Sequence, residues 1–175
     1  ASGNIINVNG WDGTVTINGD AGSDQLSVYS ESTMVVTVLD EAGSADQLTI
    51  YGTDGEDVVT VDLNQVLAGN TTVNNTGVIE RLRIDGQAGN DELQVFDSSA
   101  FRVQLDGARG SDEYNILDGT SSTLVNISDS GPQPSNTPQG VQVDVDDLIL
   151  PRDAVGTVDV EFTSGSKRIF FDQTI

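Results

Sequence analysis

The sequence predicts an all-β chain, a parallel β-helix or β-roll solenoid with a C-terminal β cap, and three observations carry that expectation. Its acids are mostly Asp, 21 against 7 Glu, and it holds 19 Gly; Asp and Gly are poor helix formers and good turn residues. One turn pattern, Gly-x-x-Gly-x-Asp, recurs between runs whose apolar and polar residues alternate as in half-buried strands. Two of its copies align without a gap at a shift of 21 residues.

The first copy places Gly19, Gly22 and Asp24 between a run ending near Ile17 and one opening at Leu26. A degenerate copy runs from Ala42 through Gly43 to Asp46, and a looser one has Gly52, Gly55 and Asp57. The next two carry Gly86, Gly89 and Asp91, then Gly107, Gly110 and Asp112. The 21-residue shift maps Asp85, Asp91 and Asp97 onto Asp106, Asp112 and Asp118, and Ile84, Leu93 and Val95 onto Leu105, Tyr114 and Ile116. Asp24 to Asp46 is 22 residues and Asp46 to Asp57 is 11, whereas Asp57 to Asp91 is 34, with Asn64 to Asn75 as an insertion. Ser98-Ser99-Ala100 and Gly119-Thr120-Ser121 read as intervening turns. Each unit is then a coil of two or three short strands, which buries its apolar residues only by stacking on its neighbours. The alternative is an antiparallel β-sandwich, because Asp-Gly also closes hairpins. A six-residue turn with a second Gly at a fixed offset argues for the coil.

The repeats are expected to fill residues 1–128. Residues 129–140 hold three of the four prolines and no large apolar side chain, as a loop does. In residues 141–175, Val141, Val143 and Val145 alternate with Gln142, Asp144 and Asp146, and strand-like runs follow at Thr157–Phe162 and Arg168–Phe171. This stretch is expected to cap or extend the solenoid, the alternative being the start of a neighbouring domain. A chain opening on Ala1-Ser2-Gly3 is expected to be a piece of something longer.

A formal charge of −21 excludes nucleic acid and anionic lipid as electrostatic partners. No apolar run approaches the ~18 residues of a membrane span. Without Cys or His there is no thiolate or imidazole for a nucleophile, a general base or a zinc site. The seven basic residues read as scattered, and every conspicuous carboxylate is duplicated, whereas a catalytic centre is a unique constellation. No enzyme is therefore expected; a polysaccharide-degrading β-helix is the less favoured alternative. No glycine turn is followed by Gly-Lys-Ser/Thr, so phosphate loops are excluded.

The Gly-x-x-Gly-x-Asp turns carry the chemistry. Glycine permits a sharp bend that leaves carbonyl oxygens on one side, and Asp adds a carboxylate. Oxygen-only ligation suits Ca²⁺. If the repeat shift makes one coil, Asp91 and Asp112 lie about 4.8 Å apart. Like charges so placed repel, and a bridging divalent cation turns that repulsion into ligation; the same holds for the Asp85/Asp106 and Asp97/Asp118 columns. The candidate metal residues are Gly19, Gly22, Asp24, Gly52, Gly55, Asp57, Asp85, Gly86, Gly89, Asp91, Asp106, Gly107, Gly110 and Asp112. The competing reading is that these Asp residues cap their own turns. Asp144, Asp146, Asp147 and Asp153 form an acidic cluster lacking the glycine and terminal Glu of an EF-hand. Trp11 suits either a sugar platform or the end of a core, and Lys167 and Arg168 beside Ile169-Phe170-Phe171 suit a docking edge or plain exposure.

The turns resemble the calcium-binding nonapeptide of RTX (hemolysin-type) proteins, Gly-Gly-x-Gly-x-Asp-x-apolar-x. The match covers Gly19, Gly22, Asp24 and Leu26; Gly52, Gly55, Asp57 and Val59; Gly86, Gly89, Asp91 and Leu93; and Gly107, Gly110, Asp112 and Tyr114. The family's second Gly is Asp20, Thr53, Gln87 and Ala108 here, and the copies are separated, which implies wider coils and fewer ions. The resemblance spans roughly residues 8–120. It implies Ca²⁺ held by turn carbonyls and Asp between coils of a parallel β-roll. The divergent form is similar to repeats in very large secreted or surface proteins of bacteria. The expected function is thus a calcium-binding, non-enzymatic structural or adhesive module of a larger extracellular or cell-surface protein. Its expected partners are neighbouring domains of the same chain, a glycan or another surface protein, with no membrane insertion. A carbohydrate- or partner-binding β-sandwich is the alternative.

Overall fold

The structure, a computed structural model, describes residues 3–39, 45–97, 102–117, 124–129, 145–150, 157–162 and 166–171. The first part of the degenerate turn (Ala42 to Ser44), both intervening turns, Asp118, the proline-rich loop from residue 130 on, Asp144 and Asp153 lie outside them.

The chain is all-β. Its strands are β1 (Ile5–Val8), β2 (Gly13–Asn18), β3 (Gln25–Tyr29), β4 (Met34–Leu39), β5 (Gln47–Tyr51), β6 (Val58–Asp62), β7 (Gln65–Ala68), β8 (Thr71–Asn74), β9 (Arg81–Asp85), β10 (Glu92–Val95), β11 (Arg102–Asp106), β12 (Glu113–Ile116), β13 (Leu124–Asp129), β14 (Val145–Leu150), β15 (Thr157–Phe162) and β16 (Ser166–Phe171). A 3₁₀ turn, Thr76–Val78, precedes β9.

Two sheets form. One runs β1-β3-β5-β9-β11-β13-β15, the other β2-β4-β8-β7-β6-β10-β12-β14-β16. Outside β6–β8, successive strands alternate between the sheets. Strand pairs are parallel except β6 with β7 and β7 with β8. An antiparallel sandwich built of hairpins would pair the other way.

The register follows the repeat. Ile84 lies beside Leu105, Leu93 beside Tyr114 and Val95 beside Ile116, the expected shift without a gap. Leu26 lies beside Leu48, the same step that leads from Asp24 to Asp46. The longer interval from Asp57 to Asp91 pairs Val59 with Leu93, and the extra length before it is structure: β7 and β8 fold back as a meander and place β8 against β4. The insertion expected between Asn64 and Asn75 thus adds two strands to one sheet and none to the other. Beyond the proline-rich loop, Tyr114 lies beside Leu148, Val125 beside Val158 and Leu148 beside Ile169, so β14, β15 and β16 continue both ladders.

The core lies between the inner faces. Along β4 the residues alternate, with Met34, Val36 and Val38 buried and Val35 and Leu39 exposed. Val28, Ile50, Val61, Ile84, Val95 and Leu105 are likewise enclosed. Each such side chain contributes roughly 1.5–3 kcal/mol of hydrophobic stabilisation. Trp11 is 55% exposed and does not close the end of this core.

Candidate functional site: the carboxylate columns of the turns

Each turn delivers its Asp to the position just ahead of a strand, with the side chain directed inward. Asp24, Asp46, Asp57, Asp91 and Asp112 are all buried. In every column a carboxylate oxygen accepts the backbone N–H of the equivalent residue one repeat earlier. Asn4 N–H donates to Asp24 Oδ1 at 2.6 Å, Asp24 N–H to Asp46 Oδ1 at 2.6 Å, and Asp46 N–H to Glu80 Oε2 at 2.8 Å. In the second column Asp57 N–H donates to Asp91 Oδ1 and Asp91 N–H to Asp112 Oδ1, both at 2.9 Å. Charge-assisted bonds of this kind are among the stronger ones in proteins.

The short interval from Asp46 to Asp57 therefore joins different columns, one leading into each sheet. Asp46, from the degenerate copy, takes the same place as Asp24. Glu80 is not legible as a site residue, because no Gly-x-x-Gly precedes it. The available signal is an acid spaced from Asp46 as Asp91 is from Asp57, and standing immediately ahead of a strand.

The second carboxylate oxygen explains the first glycine of the motif. A methyl group at Gly19 would stand 2.5 Å from Asp24 Oδ2, and one at Gly52 would stand 2.7 Å from Asp57 Oδ2. At Gly86 it would meet Asp91 Oδ2 and lie 2.9 Å from the Gly107 carbonyl oxygen. The carboxylate occupies the volume a Cβ needs. The following position holds Asp20, Gln87 and Ala108 at φ 59°, 74° and 65°, in the left-handed region that L-residues adopt only at a cost.

The partners of that oxygen differ between copies. Asp57 Oδ2 accepts the Thr53 N–H at 2.6 Å and the Thr53 hydroxyl at 3.0 Å, a self-contained cap. Oδ2 of Asp24, Asp46 and Asp91 is buried with no hydrogen-bond partner among the described residues. Burial pushes the Asp91 carboxyl up to about 7; the Asp57 N–H opposes this, and the charges of Asp57 and Glu56 add to it. Near neutral pH that oxygen calls for a proton or a cation.

Some turn carbonyls already have donors. Gly19 O accepts Asn4 Nδ2–H at 2.7 Å, and Gly52 O accepts the Gln87 side-chain amide. Among the described residues no three Asp or Glu side chains come together as a metal cluster. A cation in these turns would draw on one or two carboxylates and backbone carbonyls, as the sequence pattern implies.

Asp85 and Asp106 stand apart from the columns. They are register partners at the ends of β9 and β11, and Arg83 bridges them at 3.0 and 3.2 Å. Burial raises the Asp85 pKa, Arg83 opposes the rise and Asp106 reinforces it. A guanidinium thus supplies the positive charge for which the sequence suggested a metal. The basic residues are also less scattered than expected. The register of β9 and β11 sets Arg102 beside Arg81, with Arg83 two positions along the same strand.

Fold and turns together define a class: a two-sheet, mainly parallel all-β protein whose repeated turns bury carboxylates in columns. A scan of family models and searches of curated proteins and of solved structures return no match. Among the described residues no helix is long and apolar enough to cross a membrane.

Proposed function

We propose that the chain is a calcium-binding parallel β-solenoid, a non-enzymatic structural or adhesive module of a larger extracellular or cell-surface protein. The observation that carries the calcium reading is a buried carboxylate oxygen without a partner, recurring at equivalent places on Asp24, Asp46 and Asp91. Leaving a buried charge uncompensated is costly. A hard cation ligated by that oxygen and turn carbonyls removes the cost, and Ca²⁺ tolerates such irregular oxygen sets. The alternation of strands between two sheets, with each coil stepping by one repeat of the sequence, supports the solenoid. The extracellular setting rests on the likeness to RTX-type repeats.

The test is a calorimetric titration with Ca²⁺ and, separately, Mg²⁺. Saturable Ca²⁺ binding with much weaker Mg²⁺ binding is expected, because Mg²⁺ demands a near-ideal octahedron. Asp91→Asn should weaken one site while leaving the calcium-saturated fold intact, since Asn keeps an oxygen acceptor and loses the charge. Absence of Ca²⁺ binding would remove the calcium reading.

A further inference from the structure

We propose that the outer face of the β5-β9-β11-β13 sheet binds the carboxylate of an acidic sugar. A cavity of about 260 Å³ opens there, lined by Gln47, Arg81, Arg83, Arg102, Gln104 and Asn126. The ladder builds it in two rows: Gln47, Arg81 and Arg102 lie side by side in one, and Arg83, Gln104 and Asn126 in the next. Three of the seven basic residues of a chain with net charge −21 thus converge on one cavity.

The electrostatics point to an anion. Arg81 and Arg102 are both exposed and occupy neighbouring strands, so their charges repel across about 4.8 Å of strand spacing. Among the described residues the ion pairs of this face are those of Arg83 with Asp85 and Asp106, which leave Arg81 and Arg102 without a carboxylate. Arg83 is held by its two acids, and its buried Nε–H has no acceptor among the described residues. Guanidinium groups present planar forks that match a carboxylate.

The rest of the lining selects the kind of anion. Leu82 and Val103 also line the cavity but are themselves buried, so the more accessible side chains around it are arginines and amides. Gln47, Gln104 and Asn126 supply amides that both donate and accept, as sugar hydroxyls require. The volume suits about one sugar unit rather than a long chain. The acidity of the whole molecule repels a densely charged polyphosphate.

The experiment is a titration of the full chain, at fixed free calcium and physiological ionic strength, with trigalacturonate, with neutral maltotriose and with inorganic phosphate. Saturable binding of trigalacturonate alone is expected. The double variant Arg81→Gln, Arg102→Gln should lose at least about tenfold in affinity at an unchanged melting temperature, as removal of charge-assisted bonds entails. Arg109→Gln, on an exposed turn, should bind as the parent does. No binding of trigalacturonate, equal binding by the double variant, equal binding of maltotriose, or phosphate binding in its place would each overturn the proposal.

Discussion

Gly86 and Gly55 occupy the first and second glycine positions of their motifs, yet they serve different needs. At Gly86 an added methyl group meets the carboxylate of the buried Asp91 and the Gly107 backbone. At Gly55 the nearest atom to an added methyl is the Thr53 hydroxyl at 3.7 Å, an ordinary contact. Gly86→Ala should therefore cost about 3 kcal/mol, as overpacking against backbone does, and Gly55→Ala should fall within about 0.5 kcal/mol of the parent. Urea unfolding of the two variants checks this, and equal costs would refute the packing explanation. The motif is visible in the sequence as spacing alone. Its cause, a carboxylate seated where a Cβ would stand, involves a contact that spacing cannot express. The Arg81–Arg102 pair is visible too, as two arginines separated by one repeat shift, but it acquires meaning only once that interval is a register.

At the scale of elements, β7 and β8 are the one departure from strict alternation among the described residues. Asp62 and Asn74 flank Gln65 on adjacent strands, so they end at the same level of the sheet. Deleting Leu63 to Asn74 lets Asp62 run directly into Asn75 and shortens the Asp57–Asp91 interval from 34 residues to about the 22 that separates Asp24 from Asp46. β6 would then meet β4, with Val61 taking the place of Val73 beside Val36. The deletion variant is expected to fold cooperatively with a β-type circular dichroism spectrum; an unfolded product would show the meander to be integral to the fold. The sequence locates this insertion because the flanking repeats keep their own spacing. It does not reveal that the insertion is itself made of strands, since Gln65 to Asn74 is short, polar and broken by Gly69-Asn70. The Asp85/Asp106 column reads as a metal candidate for a related reason: Arg83 sits two positions from Asp85, on the same face, and the spacing of the acids alone omits that neighbour from the charge balance.

For the whole molecule, the dominant fact is a charge of −21 combined with carboxylates that face inward. Self-repulsion opposes the compact state, and ions that bind only the folded chain stabilise it by mass action. Asp91 contributes a pH dependence of definite sign. Its pKa rises from 3.8 to about 7 on folding, so the folded chain holds a proton that the unfolded chain has released. That contribution to stability is greatest below pH 3.8 and is lost as the pH climbs towards about 7. On the proposed reading, calcium would bind the ionised carboxylate and so replace the lost proton. The most direct measurement is therefore the melting temperature in EGTA and in excess Ca²⁺, at matched ionic strength, across this pH range. The expected result is a falling curve in EGTA and a flatter one in calcium, separating by roughly 5–10 °C near neutrality for a site filled to about a hundred times its Kd. Coincident curves throughout that range would contradict the calcium-bound carboxylate columns.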